Sequence, residues 1–144
     1  DLFDVLLMEQ DSTSRIARIK DRLRPYVRHE FIYNPHPFNR GWGYNVALSH
    51  FCTAKVAALL DTDVLTGANF VQEIIDCHHR YKAISPYTNI YFTDDEEAGR
   101  VALDFNLARL RTVEHITKPT TICGGILIIR RDTFMELAGF EQYT

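Results

Sequence analysis

Short, nearly uninterrupted apolar runs alternate along this chain with segments whose apolar residues recur at helical spacing. Two of the runs, residues 3–8 and 56–60, are each followed at once by acidic residues. An apolar run of strand length is typical of a strand that is covered on both faces of a parallel sheet. The alternation therefore predicts a layered α/β fold with a mostly parallel sheet.

Turn-forming residues and capping patterns set the expected limits of these elements. Pro25 follows the first helix, residues 93–96 form a capping box, and Gly139 follows the last helix as its C-cap. The strands are expected at residues 3–8, 30–33, 55–60, 83–85, 90–92 and 121–129. The helices are expected at residues 14–23, 41–51, 70–78, from the capping box to about 111, and 132–138.

Size and composition exclude several classes of protein. A chain of 144 residues, 46% apolar and 24% charged, is long enough for one globular domain and too apolar to be disordered. A net charge of −3 gives no reason to expect nucleic acid as the main partner. The apolar run at 126–129 is far shorter than a membrane span, and no basic segment of a signal peptide opens the chain. These features predict a cytoplasmic location, with no membrane span in this chain.

An acidic pair, Asp61-Thr62-Asp63, follows the apolar run of a predicted buried strand. Ligands of parallel sheets bind beyond the carboxyl ends of the strands, so both carboxylates are expected at one edge of the sheet. Carboxylate oxygens are hard ligands for Mg²⁺ or Mn²⁺, and such an ion also binds phosphate oxygens. Two solvated loop acids are the alternative interpretation.

A second candidate segment, Phe38-Asn39-Arg40, directly precedes a predicted helix, and Asn45 lies one turn inside it. Arginine offers a planar fork for phosphate, and a helix start offers free N–H donors. Asn45 could hold a sugar or a loop carbonyl. Alternatively, Asn39 caps the helix and Arg40 is a solvated first-turn residue.

A glycine pair, Gly124-Gly125, interrupts the last predicted strand. Glycine within a strand often marks the close approach of a ligand or of another backbone. A β-bulge is the alternative interpretation of the same pair.

These residues, in this order, resemble the nucleotide-sugar glycosyltransferases of the GT-A fold. The likeness is to family 2 and to the related β-1,4-galactosyltransferase group, in which an FNR-x-x-x-x-N segment precedes a DxD strand. It covers roughly residues 3–142. It implies a GT-A, Rossmann-like layered fold and metal-dependent, inverting transfer of a sugar from a nucleotide-diphosphate sugar, most simply a UDP-sugar, to the hydroxyl of a saccharide or other acceptor.

The resemblance also implies roles for individual residues. Asp61 would hold the ribose or donor sugar, and Asp63 would ligate Mn²⁺ or Mg²⁺, making both part of the catalytic centre. Glu9 would lie near the nucleotide base, and Phe38 and Arg40 would contact the nucleotide and its phosphates. Gly124 and Gly125 would line the junction of donor and acceptor. The other substrate-binding residues would be Asn39, Asn45 and Thr62.

Two parts of the family pattern are missing from the sequence. The first strand of the nucleotide site does not appear, and neither does the Glu-Asp segment that supplies the general base after the Gly139-Phe140 position. Residues 1–144 are therefore predicted to be a single partial glycosyltransferase domain, truncated at both ends, with no general base in the chain. Relatives of this kind often work at the inner face of a membrane.

Two other functions stay open. Residues 59–66 resemble the first motif of haloacid-dehalogenase-type phosphatases, in which Asp61 would be the nucleophile and Asp63 the acid/base. Asp94 and Asp95 would then supply metal ligands, although that motif normally lies on the first strand of its domain. The other alternative is a fragment that binds a nucleotide sugar without catalysis.

Overall fold

A computed structural model describes residues 3–104, 106–117 and 125–141 of the chain. Short strands and short helices alternate along it. The strands are β1 (Val5–Asp11), β2 (Val27–Tyr33), β3 (Val56–Leu60), β4 (Ala83–Ile84), β5 (Asn89–Phe92), β6 (Glu114–Thr117) and β7 (Ile126–Arg130). The α-helices are α1 (Arg40–Val46), α2 (Phe70–Cys77), α3 (Asp95–Asp104) and α4 (Arg131–Glu136), with 3₁₀ turns at Ile16–Arg22 and Leu107–Arg109 and a π-helical turn at Ala47–Phe51.

The strands form three small sheets. β1 and β2 pair in parallel, whereas β7 lies between β3 and β4 and is antiparallel to both. β5 and β6 form a separate antiparallel pair. The prediction of a GT-A, Rossmann-like layered fold with a mostly parallel sheet is therefore wrong for the part of the chain that the structure describes. That part is mixed α/β, with one small parallel pair and two antiparallel sheets.

Parallel pairing does not follow from the apolar runs, because such runs indicate that a strand is buried and carry no information on its direction. Ile128 and Ile129 are adjacent in β7 and both are buried. Successive side chains of a strand point to opposite faces, so β7 is covered on both sides, as the run predicts. An antiparallel strand in the middle of a covered sheet has the same apolar pattern as a parallel one.

Two predicted helices are also wrong in part. Residues 14–23 contain 3₁₀ turns broken at Ile19, and no residue of Ile16–Arg22 is buried. Short helices draw most of their stability from a packed apolar face, so an unpacked segment does not form a full α-helix. The helix expected to reach residue 111 ends at Asp104, whose carboxylate accepts the backbone N–H of Asn106. Such a local bond competes with helix continuation.

The core lies between β3, β7, α4 and the turn at Ala47–Phe51. Its buried members are Leu48, Leu59, Ile129 and Phe134, and the ring of Tyr44 packs against them. The core thus sits directly beneath α1 and the carboxyl end of β3. Within the described residues, every helix is too short or too polar to traverse a bilayer.

A buried carboxylate joins α3 to the segment before β6. Glu97 is 1% exposed, and its oxygens accept from the guanidinium of Arg100 at 2.7 and 3.1 Å. The same oxygens accept from the backbone N–H and the Nε of Arg111 at 2.9 and 3.1 Å. These hydrogen bonds, first those from Arg100 and then those from Arg111, lower the pKa of Glu97 to about 2.

Replacing this carboxylate is expected to change how stability depends on pH. A carboxylate whose pKa is lowered by folding stabilises the fold above its unfolded-state pKa, and this contribution disappears as the pH falls toward the folded-state value. Glu97→Gln should therefore lower Tm at neutral pH. Between about pH 4.5 and pH 2 the free energy of unfolding should fall less steeply in the variant than in the parent. The difference between the two slopes should correspond to the uptake of about one proton on unfolding.

Thermal and urea unfolding across that pH range measure the effect. Glu96→Gln is the matched control, because the exposed pair of Glu96 with Arg111 at 3.2 Å is worth little. Parallel pH profiles for Glu97→Gln and the parent protein would show that Glu97 does not contribute as described.

Candidate functional site

The first acid after β3 is held by two side chains of α1. The Nη1 of Arg40 donates to Oδ2 of Asp61 at 2.8 Å, and the hydroxyl of Tyr44 donates to Oδ1 at 3.1 Å. Arg40 and Tyr44 are four residues apart, so they lie on one face of the helix. The structure thus brings together two segments, 38–40 and 61–63, that the sequence analysis singled out separately.

The electrostatics of this cluster keep Tyr44 protonated. Burial, together with the negative charge of Asp61, raises the pKa of Tyr44 to about 12. Tyr44 is therefore a hydrogen-bond donor to Asp61 at neutral pH. A carboxylate has about four acceptor positions, so Asp61 keeps room for a further donor such as a sugar hydroxyl.

Arg40 has donors to spare. Its side chain is 49% exposed, and Asp61 is its one partner among the described residues. A guanidinium has five N–H donors arranged in a fixed fork, which matches carboxylate and phosphate groups. Phe38, two residues before Arg40, is 69% exposed, so its side chain is accessible to a ligand.

Gly125 lies against the same acidic loop. Its carbonyl accepts the backbone N–H of Asp61 at 2.8 Å, and its φ is +110°. A Cβ at this position would stand 3.3 Å from Val64, so glycine suits both the backbone angle and the close approach. The strand expected at 121–129 begins at Ile126, with Gly125 in the preceding turn. Gly124 lies outside the described residues.

The second acid is open to solvent. Thr62 and Asp63 are exposed, and within the described ranges Asp63 makes no hydrogen bond or ion pair. The described residues contain no group of three or more His, Cys, Asp or Glu side chains able to hold a metal ion. Mg²⁺ and similar ions often bind through one or two carboxylates together with substrate phosphates. The exposed carboxylate of Asp63 fits a site of this type, in which substrate phosphates complete the set of metal ligands.

An amide network fixes the start of α1 against β1. The side-chain oxygen of Gln10 accepts from the backbone N–H of Asn39 at 2.7 Å, and its amide group donates to the Asn39 carbonyl at 2.9 Å. Buried Asn34 donates to the same Gln10 oxygen at 2.9 Å. The side chain of Asn39 caps the helix by accepting from the N–H of Trp42. Arg40 therefore begins a helix whose first residue is tightly positioned.

Glu9 is engaged by the protein itself. Its carboxylate accepts from the Ser14 hydroxyl at 2.7 Å and from the backbone N–H groups of Arg15 and Ile16, and it pairs with His29 at 2.9 Å. Burial opposes ionisation of Glu9, but these bonds outweigh it and lower the pKa. The structure thus gives Glu9 a place in the link between β1, β2 and the turn that follows β1.

Asn45 connects α1 to the segment after α4. Its side-chain amide donates to the carbonyl of Phe140 and accepts the N–H of the same residue, both at 2.8 Å. Gly139 has a φ of +76°, and a Cβ there would collide with the Asn45 side chain. A Cβ on Gly41 would meet the carbonyl of Glu141 at 2.9 Å. The bond to a loop carbonyl is one of the two roles that the sequence suggested for Asn45.

Sequence reasoning missed Asn34 and Tyr44 as parts of this region, and it placed Gln10 in a candidate segment together with Glu9 without giving it a role. Tyr44 carried a usable signal, because a residue four positions after Arg40 shares its helix face. Gln10 directly follows Glu9 in β1, so the two point to opposite sides of the strand. Asn34 stands before two prolines and has no pattern that distinguishes it from an ordinary turn residue.

Comparisons with models of known families, with curated proteins and with solved structures found no match for this chain.

Proposed function

We propose that this chain is the donor-binding part of a glycosyltransferase, which takes a sugar from a nucleotide-diphosphate sugar, most simply a UDP-sugar. The observation that carries the proposal is the cluster at the end of β3. The Nη1 of Arg40 lies 2.8 Å from Oδ2 of Asp61. Two residues further along is Asp63, whose carboxylate has no partner among the residues that the structure describes. A diphosphate needs both a cationic fork and a metal ligand, and this cluster offers the two together.

Each side chain of the cluster has a distinct role in this proposal. The free N–H groups of Arg40 bind the diphosphate, while Asp61 and the network around Gln10 hold Arg40 in position. The exposed ring of Phe38 stacks on the nucleotide base. The remaining acceptor positions of Asp61 bind a hydroxyl of the ribose or the donor sugar.

Asp63 is the residue that would ligate Mn²⁺ or Mg²⁺, together with oxygens of the diphosphate. When bound, the ion supplies positive charge that neutralises the departing nucleoside diphosphate. Asp61 is less suited to that role, because each of its oxygens already accepts one hydrogen bond, from Arg40 or Tyr44, and the positive charge of Arg40 lies 2.8 Å away. Thr62, between the two acids, is exposed, and its hydroxyl is proposed to contribute to binding of the same ligand.

The transfer itself is a single displacement at the anomeric carbon. The acceptor oxygen forms a bond to this carbon as its bond to the diphosphate breaks, and the hydroxyl proton passes to a general base. No residue of this chain is assigned as that base. The acceptor is a saccharide or another hydroxyl compound, and the expected setting is the cytoplasm, at the inner face of a membrane.

The test is calorimetric titration of the chain with UDP and with GDP, each with and without Mn²⁺. Metal-dependent binding of either UDP or GDP is expected. The nucleotide that binds identifies the nucleobase of the donor, uracil or guanine. Thermal unfolding of the same sample shows whether the chain is folded. A folded chain that binds neither nucleotide in the presence of Mn²⁺ would refute the proposal.

The phosphatase interpretation gains no support from the acids it needs. Asp94 accepts the backbone N–H of Glu97 at 2.8 Å and so caps α3. Among the described residues, Asp94 and Asp95 do not join Asp61 and Asp63 in a group that could hold a metal. Capping accounts for Asp94 without any catalytic role.

A further inference from the structure

A cavity of about 310 Å³ lies beside the acidic loop and contains none of the residues assigned above. One wall is formed by residues 65–70 and by Glu73 of α2, and the other by Pro86, Tyr87 and Ile126. Small-molecule sites typically occupy about 300–1,000 Å³. The cavity is therefore large enough for a small ligand.

The cavity adjoins the cluster at the end of β3 that contains Arg40, Asp61 and Asp63, called the donor cluster from here on. Leu65 follows Asp63 by two residues, and Ile126 follows Gly125, whose carbonyl accepts from Asp61. Ile126 is also paired with Leu60, the last residue of β3. The cavity and the acids thus lie at the same end of the same strand.

The lining suits a neutral ligand that is rich in hydroxyl groups. Thr66, Asn69 and Glu73 contribute a hydroxyl, an amide and a carboxylate, and within the described residues these side chains make no hydrogen bond or ion pair. Phe70 and Tyr87 contribute aromatic rings that are partly buried. Aromatic surface combined with a few polar groups is the usual composition of a small-molecule site.

The negative charge of Glu73 makes this cavity unsuitable for the diphosphate. The carboxylate of Glu73 repels a phosphate group, whereas it accepts hydrogen bonds from sugar hydroxyls. Arg40 and the proposed metal ligand Asp63 are not among the residues that line the cavity. The two regions therefore favour different parts of a two-substrate reaction.

We infer that this cavity binds the acceptor saccharide, an inference that rests on the proposed function. Glu73 and Asn69 hold the hydroxyl groups of one sugar ring, and Tyr87 or Phe70 lies against its apolar face. The arrangement places an acceptor ring next to the turn at Gly125, adjacent to the donor cluster.

The test follows amide chemical shifts by NMR as methyl glycosides of glucose, galactose and N-acetylglucosamine are added to the chain with UDP and Mg²⁺, which is diamagnetic and leaves the amide signals near Asp63 observable. One glycoside is expected to shift the amides of residues 65–73 and Ile126 in a saturable manner. Glu73→Ala should weaken that binding about tenfold or more, since it removes a charged acceptor. The affinity for UDP and Mn²⁺, measured separately, should not change.

The matched control is Asp76→Ala, an exposed carboxylate on the same helix whose one hydrogen-bond partner in the described part of the chain is Gln72. It should leave glycoside binding as it is. If UDP binds with Mn²⁺ but no glycoside shifts these amides, the acceptor site is refuted and the donor function stands. If glycosides bind and UDP does not, the donor function fails, and with it the assignment of this cavity to an acceptor.

Discussion

Replacing Asp63 by asparagine is expected to abolish the Mn²⁺-dependent part of nucleoside diphosphate binding while leaving the fold intact. Asparagine has nearly the same shape but lacks the negative charge, and hard divalent cations bind carboxylates far better than amides. Asp63 is exposed and makes no described contact, so its loss costs little stability. Calorimetry should show at least about a tenfold weaker affinity, equivalent to about 1.4 kcal/mol.

Asp21→Asn provides the comparison, because Asp21 is also exposed and without a hydrogen bond or ion pair in the described part of the chain. Its nucleotide affinity should equal that of the parent protein. Thermal unfolding of both variants shows that each is folded. Unchanged Mn²⁺-dependent affinity in Asp63→Asn would remove Asp63 from the metal site.

The largest effect on stability is expected from Phe134→Ala. Phe134 is 3% exposed and packs with Leu48, Leu59 and Ile129. The centroid of its ring lies 5.6 Å from that of Phe140. Truncating a buried phenylalanine removes its transfer free energy and leaves a cavity, at a cost of about 3–5 kcal/mol. The free energy of unfolding of a whole domain is about 5–15 kcal/mol, so urea unfolding should show this loss clearly.

A neighbouring leucine distinguishes loss of the core from a general sensitivity of this segment. Leu137 is 69% exposed, and Leu137→Ala should change the free energy of unfolding by less than about 0.5 kcal/mol. Phe134→Leu, which keeps most of the apolar volume, should fall between the two and remains measurable if Phe134→Ala does not fold. Equal losses for Phe134→Ala and Leu137→Ala would contradict the core as described.

The sequence indicated where strands lie better than how they pair. The expected strand at 55–60 is observed at 56–60, because a covered strand must be apolar whatever its neighbours are. Its antiparallel partner β7 could not be inferred, since pairing direction depends on how the connecting chain returns. The strand at Glu114–Thr117 was missed because a short, exposed two-stranded ribbon has little apolar pattern to reveal it.

The candidate site was accessible to sequence reasoning only in part. The order of Arg40 and Asp61 along the chain suggested a shared site, and their 2.8 Å contact places them together. The sequence suggested a loop carbonyl as one possible partner of Asn45, but it could not indicate that of Phe140, because a backbone group has no side-chain signature. The protein partners of Glu9 could not be anticipated, because an acid at the end of an apolar run looks the same in the sequence whether protein donors or solvent surround it.

The two hydrogen bonds between Asn45 and Phe140 join residues that are 95 positions apart. During synthesis, the helix that carries Arg40 leaves the ribosome long before the segment that fastens it is made. Closing so long a loop slows folding, because its entropic cost comes before the contacts that reward it. The cluster around Arg40 is therefore expected to acquire its final geometry late, when the last part of the described chain arrives.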